Sequence, residues 1–241
     1  MPKQQIKKAP LDDLEFYPPF EGFPREGMKF LKSLKRNNNR PWFEKHKSEY
    51  ESYVKLPMQS LIVALQPHMA KFAPEFELHP KRSLFRIYRD VRFSKDKSPY
   101  KTHAAIQSLV RGAPKGVEAP GYYLHFEPGQ VFIGSGVYMP SSDSLKKIRR
   151  AMVERSKEFL SLVEGKAFVK RFGTIGGEKL QRVPQGYPPD HPMADWLKHK
   201  QFFVFEEWAE SKCYSEKFLV EAAKSFEAAS PLVRWLKDAM K

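Results

Sequence analysis

Between Ser83 and Pro140 the apolar residues tend to recur at every second position, and the joins between these runs are too short to hold a helix. Strands connected without crossover helices run antiparallel, so this stretch restricts the chain to folds built on a largely antiparallel sheet. Its clearest part is GYYLHFEPGQVFIGSGVYMP, in which Pro128-Gly129 is a strong turn pair between two alternating runs. SLFRIYRDVRFS puts Phe85, Ile87, Val91 and Phe93 on one face of a strand with Arg89 in their midst. Arg86, Tyr88, Asp90 and Arg92 fall on the other face. HAAIQSLVRG reads as a weaker strand, and residues 201–205 of QFFVFEEW add a further candidate, for four to five strands over roughly 83–139 and 201–205.

On either side the period becomes helical. From Pro24, the recurrence of Met28, Leu31 and Leu34 predicts a helix that stops at Asn37-Asn38-Asn39. A second helix restarts with Asn39 as its cap and Pro41 in its first turn, sharing one face among Phe43, His46, Tyr50 and Tyr53. Pro57 opens a third. Beyond the strands, a cap within Ser141–Ser144 leads into one helix with the stripe Leu145, Ile148, Met152, Phe159 and Val163. Two short amphipathic helices separated by Pro231 are expected over 215–240. Helices, then strands, then helices make an α+β architecture. It is expected to form a single domain over 20–241, after a mobile basic lead-in at 1–19.

The 41% hydrophobic content is that of a globular chain. Charge is the outlier: 42 basic against 28 acidic residues leaves a net +14, which favours anionic partners, either small molecules or nucleic acid. Basic proteins without such partners are also common. One cysteine, Cys213, excludes an internal disulfide framework and fits a reducing compartment. With no signal-like or membrane-spanning apolar run, the expected location is the cytoplasm and no membrane partner is expected. The sequence carries no signal for an oligomeric state.

The densest chemistry is FRIYRDVRFSKDKSPYKTH, residues 85–103, with six Lys or Arg residues, two Asp and a His. A guanidinium at Arg89, inside an apolar strand face, needs a carboxylate, several carbonyls or an anionic ligand. A salt bridge tying sheet to helix is the plain alternative. Arg86 and Arg92 flank Asp90, which should stay ionised and orient them; an ion-pair ladder is the alternative there. Lys97 and Lys101, near Tyr100 and His103, complete a candidate phosphate or carboxylate grip with an aromatic platform. Asp90 and His103 are the candidate proton carriers.

This run, together with NNRPWFEKHKSEY upstream, resembles the domain of unknown function 2461 family, single-domain proteins that are mostly bacterial with some fungal members. The family pattern R-x-x-R-D-x-R-F, followed by an acid-Lys pair and an aromatic, falls on Arg86, Arg89, Asp90, Arg92, Phe93, Asp96, Lys97 and Tyr100. Its upstream part falls on Asn38, Asn39, Trp42, Phe43, Lys47 and Tyr50. The resemblance spans roughly 20–240 and implies a fold and a residue cluster, with no established activity to carry over.

Asn38, Arg40 and Lys47 are candidates for the rim of the same site, although Trp42, Phe43 and Asn39 also fit plain core packing and capping. Gly134 and Gly136, at spacing two, bare one side of their strand, for a ligand or a packed helix. His125 alternates with Tyr123 on the face opposite Leu124 and Phe126. Asp190-His191 is an acid-base pair or a local cap. The seven histidines are scattered, with no H-E-x-x-H or Cys/His spacing, so no metal ligands and no cofactor are predicted. The basic helix over 145–157 is either a solvated face or a nucleic-acid contact. The favoured reading is a compact site for an anionic small molecule, ahead of nucleic-acid binding and of a structural ion-pair network.

Overall fold

The computed structural model describes residues 17–113 and 118–241. The expected lead-in, through residue 16, lies outside them.

Helix α1 (Arg25–Arg36) follows Pro24 and buries Met28, Phe30, Leu31 and Leu34, as the periodicity predicts. Helix α2 (Arg40–Lys45) begins where Asn39 accepts the Trp42 N–H at 3.0 Å. Next come α3 (Lys47–Tyr50), one π turn over Glu51–Lys55 and α4 (Leu56–Phe72). Pro57 sits in the first turn of α4, immediately after the π turn, with Lys55 and Leu56 before it already in helical geometry. The backbone of α1 crosses the π turn closely at Gly27, where a Cβ would lie 2.3 Å from the Tyr53 carbonyl oxygen.

Strand β1 (Phe76–Glu77) is short, and the predicted strand over 83–93 does not form a regular one. Instead, two extended arms face each other. Phe85 donates to the Ala105 carbonyl, Gln107 to Ser83, Lys101 to Ile87 and Arg89 to Pro99, with bridges at Leu84–Ile106 and Tyr88–Tyr100. The pairing is broken between Ile87 and Phe85, so no continuous ladder accumulates. Residues 90–98 form the tip. Alternation therefore fails on both sides of Ile87: Phe85 is exposed, Phe93 is 94% exposed and Arg89 is only half-buried.

Strands β2 (Ala104–Gln107), β3 (Leu109–Val110), β4 (Gly121–Glu127) and β5 (Gln130–Val137) follow. The β4–β5 hairpin turns at Pro128-Gly129, with Gly129 at φ +84°, a conformation glycine adopts without a Cβ clash. Helix α5 (Ser142–Glu154) is capped by Ser141, which accepts the Ser144 N–H at 3.2 Å. The single helix expected here is two: Arg155 leaves helical geometry (φ −119°, ψ 39°), and α6 (Ser156–Val163) follows it. Helices α7 (Lys166–Phe172) and α8 (Ala194–Leu197) lead to β6 (Phe202–Trp208) and a 3₁₀ turn at Glu210–Tyr214. Helix α9 (Lys217–Ala239) corrects a second expectation, because it runs unbroken through Pro231. Residues on both sides of the proline, Ala229, Ser230, Leu232 and Val233, are buried, and that packing outweighs the lost hydrogen bond.

The sheet has the antiparallel order β2-β4-β5-β6, and β1 pairs with β3 beside it. The α+β class holds. Tyr122, Leu124 and Phe126 of β4 and Val131 and Ile133 of β5 face one apolar cluster with Phe23, Leu31, Leu61 and Phe226. Val137, Phe202 and Val204 join a second cluster with Ile148, Phe159, Leu232 and Trp235. Each fully buried phenylalanine contributes roughly 2–3 kcal/mol of transfer free energy. Among the described residues, no helix is long and apolar enough to cross a membrane.

Candidate functional site

The motif residues divide into three groups. The first closes on itself at the tip. Arg92 donates from Nε and a terminal nitrogen to both oxygens of Asp90, at 3.0 and 2.7 Å, and its N–H also reaches Asp90. The Arg92 hydrogen bonds hold the Asp90 carboxyl down at about 2, so it is a weak base near neutrality. Arg89 pairs with Asp96 across the tip rather than with a helix. Asp96 also accepts the Ser98 N–H and hydroxyl, and these bonds, with Arg89, lower its pKa well below the usual carboxylate range. Lys97 donates to the Val91 carbonyl at 3.0 Å. Arg89 and Arg92 are thus each paired with a nearby aspartate, and Lys97 is held by a backbone carbonyl.

The second group lies at the root of the arms. Tyr100 is 2% exposed, with its ring stacked on Phe43 at 4.1 Å, so it belongs to the core rather than to an open platform. Asn38 holds its backbone through two hydrogen bonds. Arg86 and Lys101 line a cleft of about 1030 Å³ between α2–α4 and the first arm, together with Lys47, Lys81, Tyr50 and Tyr88. Burial, and then the nearby Arg86 charge, push the Lys101 pKa down. Lys101 rides over the Phe85 ring at 4.9 Å, and neither Arg86 nor Lys101 has a carboxylate within ion-pair range among the described residues. Arg82, also on the wall, is paired with Glu77 at 2.7 Å. Of the three upstream rim candidates, Lys47 reaches this cleft, Asn38 clamps Tyr100 and Arg40 lies elsewhere. Lys81 and Arg82 were not singled out from sequence; their Pro80-led turn gave no periodic signal.

The third group is on the opposite face of the sheet, where Tyr123, His125, Phe132, Gly134, Gly136, Phe203 and Phe205 line a second cleft of about 810 Å³. Gly134 bares this face toward the cleft rather than toward a helix, whereas Gly136 lies close against the β6 backbone. At Gly134, an added Cβ would find nothing nearer than 3.9 Å. His103, just before β2, stands beside His125 with ring centroids 4.4 Å apart, so the two candidate proton carriers are separated, Asp90 at the tip and His103 here. Burial, and then its neighbour His125, bring the His103 pKa down to about 4. His125 is also lowered, by burial. Its Nδ1 lies 2.9 Å from the Tyr123 hydroxyl, and its Nε2 lies 3.5 Å from Glu127. The scattered histidines of the sequence thus include two that the fold brings together. The His125/Glu127 spacing of two was a legible sign of a shared face, whereas His103 joins them only through strand register.

Two other sequence candidates are accounted for locally. His191 accepts the Met193 N–H at 3.0 Å and serves as a turn cap. In the basic helix, Arg149 is buried and donates to the Leu197 and His199 carbonyls at 2.8 and 3.1 Å. Lys147, Arg150 and Arg155 are paired with Asp143, Glu154 and Asp238. Much of the helix's charge is therefore already engaged within the chain.

Comparison with curated proteins and with solved structures returns no match in either case. A family model described as "Conserved hypothetical protein (DUF2461)" matches residues 26–235, most of the sequence, and the chain belongs to that family.

Proposed function

We propose that the protein binds a small anionic molecule, bearing a phosphate or carboxylate group, in the cleft bounded by Lys47, Arg86 and Lys101. What carries this reading is the juxtaposition of Arg86 and Lys101 on the cleft wall, neither of them in an ion pair among the described residues, with burial and then the Arg86 charge lowering the Lys101 pKa. An anion entering there meets a guanidinium able to bind it bidentately and an ammonium partly stripped of water. Tyr50, Tyr88 and Phe85 on the walls offer contact area for a flat or apolar remainder. The concave shape suits a compact ligand better than a polymer track.

Calorimetric titration with nucleotides, sugar phosphates and polycarboxylates, at low and moderate salt, tests the proposal. At least one compound should bind, and Arg86→Ala/Lys101→Ala should weaken it by more than about 10-fold, in line with loss of charge-assisted hydrogen bonds. Arg92→Ala, at the tip, should leave it unchanged. Failure of every anion to bind, or binding indifferent to the double substitution, overturns the reading.

A further inference from the structure

We propose that His103, His125 and Glu127 form a binding site for a divalent transition-metal ion of the zinc type, open on one side to the cleft on the glycine-bearing face of the sheet. One ligand atom from each of the three lies within 4.8 Å of the others. Two imidazoles and one carboxylate are the donors that borderline ions take, whereas magnesium and calcium favour oxygen alone.

The backbone explains why they converge. His125 and Glu127 are two residues apart on β4 and point to the same face. β2 pairs with β4 at Ala104–Phe126 and Ala105–His125, so the next position outward sets His103 against Glu127. Two of the three ligands also have outer support. His125 stacks on Phe132, with ring centroids 4.5 Å apart, and engages Tyr123 through Nδ1, which leaves Nε2 to face Glu127. A partner on the second imidazole nitrogen is the usual outer shell of a metal-bound histidine. Glu127 divides its work as well: Oε1 meets the Lys35 ammonium and the Thr102 hydroxyl, each at 3.5 Å, while Oε2 is the oxygen toward His125. Lys35 is 65% exposed, so solvent screens its repulsion of a bound cation.

Tetrahedral bonds of about 2.0–2.2 Å set ligand atoms roughly 3.4 Å apart; His125 and Glu127 are already at 3.5 Å, so a bound ion would chiefly draw in His103, by about an ångström. Three protein ligands leave a fourth position free, and two of the three, His103 and His125, line the second cleft. Such a centre holds water or a ligand group rather than a closed structural ion. This site differs from the anion cleft; Phe85 and Gln107 line both and stand between them. The competing account is a Tyr123–His125–Glu127 hydrogen-bond network that serves the fold alone.

Cobalt(II) titration of the untagged, chelator-treated full chain decides between them. The expected result is saturable one-to-one uptake with visible d–d absorption, reversed by zinc(II). His103→Gln and Glu127→Gln should each weaken uptake by more than about 100-fold, and Tyr123→Phe, acting through His125, by about 10-fold. Arg92→Ala, at the tip and outside both clefts, should leave cobalt uptake unchanged. His103 is only half-buried, so His103→Gln should keep a native circular dichroism spectrum and decides the matter even if Glu127→Gln unfolds. No one-to-one uptake by the wild-type chain, or undiminished uptake by folded His103→Gln, overturns the proposal.

Discussion

The side-chain amide of Asn38 donates to the carbonyl of Tyr100 at 2.9 Å and accepts the Tyr100 N–H at 3.0 Å, 62 residues along the chain. One residue between two helices thus does for the second arm what a neighbouring strand would do. It fixes the backbone that presents Lys101 to the anion cleft. Asn38→Ala should lower stability by about 2–4 kcal/mol, because both Tyr100 backbone groups lose their partner in a half-buried position. Asn38→Asp keeps the acceptor, loses the donor and sets a charge against a carbonyl. Urea denaturation measures both; an unchanged midpoint would show that the arm holds itself.

Arg149 should matter to stability and not to binding. Its guanidinium satisfies two carbonyls at the end of α8, and Arg149→Met should cost roughly 2–4 kcal/mol by orphaning both. Arg149→Lys should recover little, since one ammonium cannot reproduce the fork. Equal stability of the Met and wild-type chains would mean that those carbonyls find other donors.

Histidine burial gives the fold a pH dependence whose sign is fixed. His199 is 1% exposed and stacked against Trp196, and burial, followed by Lys179, brings its pKa from 6.5 to about 4. Above pH 6.5 both folded and unfolded chains carry it neutral. As the pH falls from 6.5 to about 4, the unfolded chain takes a proton that the folded chain refuses. Stability therefore drops over that window, by up to about 3 kcal/mol from this residue. The depressed carboxyls of Asp90 and Asp96 have a separate range, since the stability they confer is lost only below about pH 4. Denaturation midpoints at pH 7, 5.5 and 4.5 should show the first drop, and His199→Gln should make it shallower, the remainder coming from His103 and His125. A parallel profile for the variant would reassign the effect.

The two hairpin glycines should respond oppositely to substitution. Gly136 has φ +131°, and a Cβ there would lie 2.2 Å from the Phe202 carbonyl oxygen, so Gly136→Ala should cost more than about 2 kcal/mol by forcing β5 from β6. Gly134 has open space above it, so Gly134→Val should fold and fill the second cleft instead. Thermal melts of the pair provide the comparison, and similar losses at both positions would contradict it.

What could be read from the residues alone was whatever is decided by local chemistry. Asn39 and Ser141 cap helices, Pro128-Gly129 turns the hairpin, and the alternation over 121–137 sorts Leu124 and Phe126 to the core from Tyr123 and His125 to the cleft. Alternation misled at 83–93 because a period of two describes any extended segment, and only a ladder makes it a strand. Arg89 consequently found Asp96 nearby, while the buried arginine held by carbonyls turned out to be Arg149, on a helix whose charges looked solvated. Pro231 was read by its own propensity, which tertiary burial overrode. Of the site, Arg86 and Lys101 were named in advance, but their separation from Arg89, Arg92 and Lys97 depends on where the extended arms end. No pattern in one dimension encodes that.

Helix α9 carries Phe218, Ala222 and Phe226 into one apolar cluster and Leu232, Trp235 and Leu236 into the other. Neither cluster can open fully without withdrawing a wall from its neighbour. Amide protons in α4 and in α6, on opposite sides of that shared helix, should then exchange with solvent through a common opening event, and their slowest rates should converge.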